Sequence, residues 1–282
     1  MIVPKRLTTE QIERYKRDGF LSPVRVMPEP DAVALRQRVE AFEAAQGKPV
    51  HGTQRTKCSL LFPWVYDLFT SDAVLDTVED LIGPNILHYQ CGVWIKEPEA
   101  GSYVSWHQDC TYYGMDPLEL VSAWVALSPA TEETGCMQVA PGSHKLGELP
   151  VDFSELSDDN LLTSGMRARY EIDDSNTVLM ELQPGEMSLH HVALVHSSRP
   201  NHGADRRIGI AGGYVPPHVR QTTDLLASAM LVRGEDRYGH FPLDEKPPVS
   251  PDDPATIACH DRAVTLYRDK AAECGNKTAW RH

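Results

Sequence analysis

"LQPGEMSLHHVALVHSSRPNHGADRRIGIAGGYVPP", residues 182–217, decides the fold. It holds two β-like runs, 186–196 and 207–215, separated by a polar, turn-rich insert and bounded by Pro-Gly and Pro-Pro. Four more runs of this texture lie upstream: "ILHYQCGVWIK" (86–96), "VSAWVALS" (121–128), "GCMQVAPG" (135–142) and "SNTVLMEL" (175–182). Short strands at such intervals, broken by Pro and Gly, predict a sandwich or barrel and not a parallel βαβ sheet.

The first 84 residues read as helical. Thr8 and Gln11 fit a capping box, and Gly19 fits the stop of a short helix. Residues 31–47 place Val33, Val39 and Phe42 near helical spacing and end on Gly, and 71–84 begins on a Ser cap and ends on Gly83-Pro84. Residues 216–254 are rich in Pro and charge, and a last helix is expected around 255–273. With no internal repeat or low-complexity linker, one domain over 1–282 is expected. Its parts are a helical N-terminal part (1–84), a barrel core (85–217) and a C-terminal extension (218–282). The expected class is mostly β with flanking helices, arranged as helices packed on a double-layered barrel.

The totals narrow the function. The 282 residues are 41% hydrophobic and 24% charged, an ordinary globular balance. A formal net charge of −13 argues against nucleic acid and anionic membranes as partners. Six cysteines without CxxC spacing exclude an obvious structural zinc site or a disulfide scaffold. No signal-peptide core or long apolar run is present, so a cytoplasmic setting with no membrane association is expected. The sequon Asn276-Lys277-Thr278 is then unused.

The chemistry begins at "SWHQDC" (105–110). In a chain with 12 His, about one His/Asp pair of this spacing arises by chance, so the pair alone proves little. On an extended strand His107 and Asp109 face the same side. They then supply two thirds of a facial triad of two His and one carboxylate, which binds Fe(II) on one face and leaves positions open. His196, closing the run 186–196, is the leading third ligand. Arg207 opens a strand on which Gly209, Ala211 and Gly213 share its face, which makes a slot with a cationic end. Ser198 adds a hydroxyl donor there. A dicarboxylate chelating the metal and held by the guanidinium fits this slot, and 2-oxoglutarate is the expected cosubstrate.

Blander readings stand beside these. His190, His191 and His144 read as structural, Glu132-Glu133 as a solvated turn, and Trp124 could be plain core. Arg206 points to the opposite face from Arg207. A zinc hydrolase on the same three ligands, or a non-enzymatic metal-binding barrel, are the rival functions.

In order, HxD, "GCMQVAPGSHK", a distal His with Ser-x-x-Asn, and Arg eleven residues on resemble the phytanoyl-CoA dioxygenase family of Fe(II)/2-oxoglutarate oxygenases. The opening "LTTEQIERYKRDGFL" is similar to that family too, so the likeness covers residues 7–217. The resemblance implies a double-stranded β-helix (a cupin-like jelly roll) with the metal in its mouth. It implies His107, Asp109 and His196 as iron ligands, and Arg207 on the distal carboxylate of 2-oxoglutarate with Ser198 assisting. Trp124 would flank the cosubstrate, and Gln90 would reach cosubstrate or substrate. The implied reaction consumes O2 and 2-oxoglutarate, releases succinate and carbon dioxide, and hydroxylates a C–H bond of a small molecule. Related halogenases carry a small residue where Asp109 stands, so oxygenation is expected, not chlorination. Gln108, Tyr112, Tyr113 and Lys96 are candidate substrate contacts. The loops 47–70, 111–119 and 150–175 are expected to line the pocket, with Arg167, Arg169 and Arg220 as further candidate anion grips.

Overall fold

The computed structural model describes residues 4–162, 165–245 and 250–274. The N-terminal segment forms α1 (Thr9–Asp18), β1 (Phe20–Arg25), α2 (Glu29–Gln46), α3 (Pro63–Phe69) and α4 (Asp72–Ile82). The Thr8/Gln11 capping box is present, satisfying two backbone donors that the first turn would otherwise leave open. Gly19 closes α1 with a left-handed φ of 84°. Ser71 does not cap α4 through its side chain; its Oγ donates instead to the carbonyl of Leu68 at 2.8 Å.

The strands follow as β2 (Ile86–Lys96), β3 (Val104–His107), β4 (Met115–Asp116), β5 (Val121–Ala126), β6 (Met137–Val139) and β7 (Val151–Asp152). Next come β8 (Arg167–Ala168), β9 (Val178–Met180), β10 (Glu186–His191), β11 (His196–Ser198) and β12 (Arg207–Val215). The described chain ends with β13 (Arg220–Gln221), β14 (Met230–Arg233) and α5 (Pro254–Glu273). Two antiparallel sheets result, one ordered β1-β10-β5-β12-β2-β14 and the other β3-β11-β6-β9. The sequon at Asn276 lies outside the described residues.

Residue parity sorts the larger sheet. Val93, Val125, Leu189, Ile208 and Ile210 face outward and pack with Val39 of α2, Val65 and Phe69 of α3, and Val74 and Val78 of α4. Burying each such side chain contributes about 1.5–3 kcal/mol. The alternate positions Gln90, Trp94, Ser122, Trp124, His190, Arg207 and Ala211 line a cavity shared with β3 and β11 of the smaller sheet. Polar residues on one parity thus meet between the two sheets.

The structure departs from the sequence reading in three places. The N-terminal part is not wholly helical, because β1 forms an edge strand on β10. The run 186–196 is two strands in different sheets, joined through Val192–Val195. The extension adds β14 to the edge of β2.

Candidate metal centre

His107 and His196 lie directly opposite each other in the antiparallel pair β3–β11. Their ring centroids are 4.1 Å apart. Asp109 does not sit on a strand as expected; it opens a 3-10 turn, Asp109–Tyr112, one residue after β3. Gln108 keeps extended angles (φ −120°, ψ 138°), so the alternation survives and Asp109 still turns to the His107 side. Asp109 Oδ1 lies 3.6 Å from His107 Nε2 and 3.8 Å from His196 Nε2.

Hydrogen bonding prepares both imidazoles. His107 Nδ1 donates to the carbonyl of Ser105 and His196 Nδ1 to that of Leu194, each at 2.9 Å. A carbonyl only accepts, so each ring carries its proton on Nδ1 and turns a bare Nε2 inward, as a metal ligand requires. Burial holds the His196 ring well below its ordinary pKa, and the neighbouring His107 and His190 push the same way. Burial pushes the Asp109 carboxyl up, but the imidazoles around it, His107 first, then His190 and His196, outweigh it. The net direction is well below the usual range, and Asp109 is an anion. Its Oδ2 accepts from Ser122 Oγ at 2.8 Å and from His190 Nε2 at 3.2 Å, leaving Oδ1 toward the histidines.

The donor atoms of His107, Asp109 and His196 all lie within 4.8 Å of one another. Ligand atoms about 2.1 Å from a shared ion sit roughly 3–3.5 Å apart, so the carboxylate oxygen is already near bonding separation from both imidazoles and no pair must close by more than about 1–2 Å. Two neutral imidazoles and one carboxylate fit a divalent transition metal.

Positive charge gathers elsewhere in the cavity. Arg207 is buried with its guanidinium carbon 5.1 Å from the Trp124 ring centroid, and its Nε has no hydrogen-bond partner. Burial, and to a smaller extent Arg55, lower its pKa to about 10. Gly209 makes room for the ring beside it, since a Cβ there would fall 1.9 Å from Trp124 Cζ2. Lys96, opposite Arg207 in the β2–β12 register, donates from Nζ to Ser198 Oγ at 2.7 Å and to the carbonyl of Arg199. Burial and the Arg207 charge lower its pKa to about 6. Arg206, by contrast, is committed to Glu43 and Glu97 on the outer side.

A family model described as phytanoyl-CoA dioxygenase (PhyH) matches residues 15–209. The chain belongs to the phytanoyl-CoA dioxygenase family. Among its relatives is a probable alpha-ketoglutarate-dependent hypophosphite dioxygenase of Stutzerimonas stutzeri, 28% identical over 185 residues and 64% of each chain. The peroxisomal phytanoyl-CoA dioxygenase of Homo sapiens is 27% identical over 69% of this chain and 64% of its own. Both matches therefore span just under two thirds of the relative's length. The solved structure of the non-heme monooxygenase ThoJ, in its apo form, superposes with a TM-score of 0.83 at 30% identity, covering 95% of this chain and 100% of that one.

Within this family frame, the cavity gathers His107, Asp109, His196, Gln90, Trp124, Ser198, Arg207 and Tyr113 of the residues singled out from sequence. Three others fall elsewhere. Gln108 is fully buried and spent on the fold: Nε2 donates to the carbonyls of Gly147 and Ala193, and Oε1 accepts from Leu149 N. Tyr112 packs on the apolar cluster around Tyr89 and Phe241, not on the cavity. Lys96 is enclosed behind Ser198 instead of reaching toward a substrate. The loops contribute little to the wall beyond Tyr113, and Arg167 is paired with Glu155.

Residues that sequence reading missed complete the site. Ser122 and His190 hold Asp109, and both sit on inward-facing positions of strands that were read, so parity could have found them. Arg55, which packs on β2 without lining the cavity, carries no such signal. Its carbonyl would stand 3.1 Å from a Cβ at Gly92, between the Gln90 and Trp94 side chains. Its Nε donates to the carbonyl of Val93 at 3.2 Å, and no carboxylate partner is found for it among the described residues.

Proposed function

We propose that this protein is an Fe(II)- and 2-oxoglutarate-dependent dioxygenase that hydroxylates a C–H bond of a small molecule, with succinate and carbon dioxide as coproducts. The observation that carries this reading is the buried guanidinium of Arg207, its Nε without a partner, in the cavity that also holds the two imidazoles and one carboxylate. A buried charge without a partner costs several kcal/mol, and a dianionic ligand removes that cost. Iron at His107, Asp109 and His196 would supply activation of O2 and oxidative decarboxylation of the cosubstrate.

The chain's own residues do the rest. Arg207, with Ser198, holds the distal carboxylate, while the Trp124 ring fixes the guanidinium plane. Lys96 sits behind them as a positive reserve, and a bound dianion draws a proton onto its amine. Tyr113, Val104, Met137 and Trp94 give an apolar wall that excludes water around the reacting C–H bond. A groove lined by Tyr103, Trp106, Gln138 and Arg167 shares Val104, Ser197 and Ser198 with the cavity, and we assign it as the substrate's path. Among the described residues no helix is long and apolar enough to cross a membrane. The unbridged cysteines accord with a cytoplasmic, reducing setting.

A zinc hydrolase would need only the three ligands and an activated water. Arg207 would then be a buried charge with no task. Incubation with Fe(II), O2 and 2-oxoglutarate tests the choice: succinate forms even without the physiological substrate. No succinate under those conditions, with tight zinc retention and ester or amide hydrolysis, would overturn the oxygenase reading.

A further inference from the structure

Strand β3, which ends on His107, lies at the edge of its sheet, with β11 on one side. Its other side is closed by the segment between β7 and β8. Tyr103 N donates to the carbonyl of Asp159 at 2.9 Å, and Leu161 N to the carbonyl of Tyr103 at 2.8 Å. Between these bonds Asn160 bridges Tyr103 in parallel fashion and reaches Ser105 with its side chain. Its Oδ1 accepts from Ser105 N at 3.4 Å and from Leu162 N at 3.1 Å. Its Nδ2 donates to Ser105 Oγ and to the carbonyl of Glu155, each at 3.0 Å. Ser105 Oγ in turn donates to the carbonyl of Met166 at 2.6 Å. Asn160 and Ser105 are both buried.

Backbone groups on an open strand edge need partners, and here a side-chain amide takes the place of a neighbouring strand. The residue it holds is the one that prepares a ligand. The Ser105 carbonyl accepts from His107 Nδ1 at 2.9 Å and so fixes which nitrogen that ring turns inward. His196, on the inner strand β11, makes its corresponding bond to Leu194 instead. The contacts therefore run in series from Asn160 to Ser105 to His107. The same segment walls the groove assigned above as the substrate's path, which Ser105, Glu155 and Arg167 line.

We infer that Asn160 is a positioning residue of the metal centre: by holding Ser105 it holds the carbonyl that orients His107. The inference rests on the reading of His107, Asp109 and His196 as metal ligands. Asn160 does not line the cavity and acts through Ser105.

Two readouts on the full chain test it. In the metal-free protein, NMR of the histidine-labelled chain follows the Nδ1–H protons of His107 and His196, which hydrogen bonding protects from exchange with water. Asn160→Ala speeds exchange at His107 about tenfold, the scale of one hydrogen bond, and leaves His196 within about twofold. Competition with a coloured chelator then gives the Kd for Co(II). Asn160→Ala weakens it about tenfold, the lower end of the loss for an outer partner of a ligand. A merely structural role would lower Tm without separating the two histidines. Ser105→Ala, which removes the hydroxyl that Asn160 holds, gives the same pair of changes. Adding Asn160→Ala to it deepens them by less than about twofold, because both act on one contact. Equal exchange at the two histidines, or an unchanged Kd for Co(II), would overturn the inference. If Asn160→Ala fails to fold, Ser105→Ala alone carries both readouts and decides. A wild-type chain that binds no Co(II) would overturn the metal reading itself; wild-type binding with a flat Asn160→Ala overturns this inference alone.

Discussion

The guanidinium of Arg207 stacks over the indole of Trp124 at 5.1 Å, and the ring occupies the space that a side chain at position 209 would need. Three consecutive inward positions of two neighbouring strands thereby form one device: a cation, its aromatic backing and a glycine that admits the ring. Gly209→Ala puts a methyl 1.9 Å from Trp124 Cζ2, so the ring must move. Overpacking of this kind costs about 1–3 kcal/mol. The expected result is a fall of several degrees in Tm and at least a tenfold weaker Kd for 2-oxoglutarate, measured by thermal melting and calorimetry.

Asp109 is held by Ser122 and His190 through the oxygen that faces away from the histidines. Removing such outer partners of a ligand typically costs 10–100-fold in metal affinity. Ser122→Ala and His190→Leu should each weaken Fe(II) or Mn(II) binding by about that factor while leaving the fold intact. A competition titration with a coloured chelator reads the effect. Asp109→Ala, which removes the ligand itself, should lose more than either.

Lys96 gives a pH prediction. Its amine titrates at about 6 in the folded protein, against 10.5 ordinarily, because of burial and Arg207. Between those values the unfolded chain binds the proton and the folded one does not, so the unfolding free energy rises with pH across the window. Below about 6 both states are protonated and the slope vanishes. One proton contributes at most about 1.4 kcal/mol per pH unit. Ligand-free wild type should gain Tm between pH 6.5 and 8.5 by more than Lys96→Met does. Parallel Tm–pH curves for the two proteins would contradict the assignment.

How much of this was legible in sequence follows from where the information resides. Residues 86–96 and 207–215 read as strands with the observed bounds because long, fully covered central strands carry dense apolar and small residues. β1 escaped because Pro23 argues against a strand, a rule that relaxes at a sheet edge, where β1 lies. The break between β10 and β11 escaped because Val192, Ala193, Leu194 and Val195 are almost completely buried and carry no turn residue. The convergence of His107, Asp109, His196 and Arg207 on one cavity was legible through strand parity and order. Gln108 misled for the opposite reason: it lies between His107 and Asp109 in sequence, but its alternate parity sends it into the fold. The packing of the Arg55 loop on β2 was invisible, since only tertiary contact brings the two together.

The central claim is that one metal held by His107, Asp109 and His196 shares its cavity with a keto-diacid clasped by Arg207. Anaerobic addition of 2-oxoglutarate to the Fe(II)-loaded protein, followed by visible absorption, tests it most directly. Wild type should show a metal-to-ligand charge-transfer band that saturates with 2-oxoglutarate. In Arg207→Met the same band should require about 10–100-fold more cosubstrate, the loss expected for one charge-assisted pair. No band in wild type, or equal saturation in both proteins, would contradict the account.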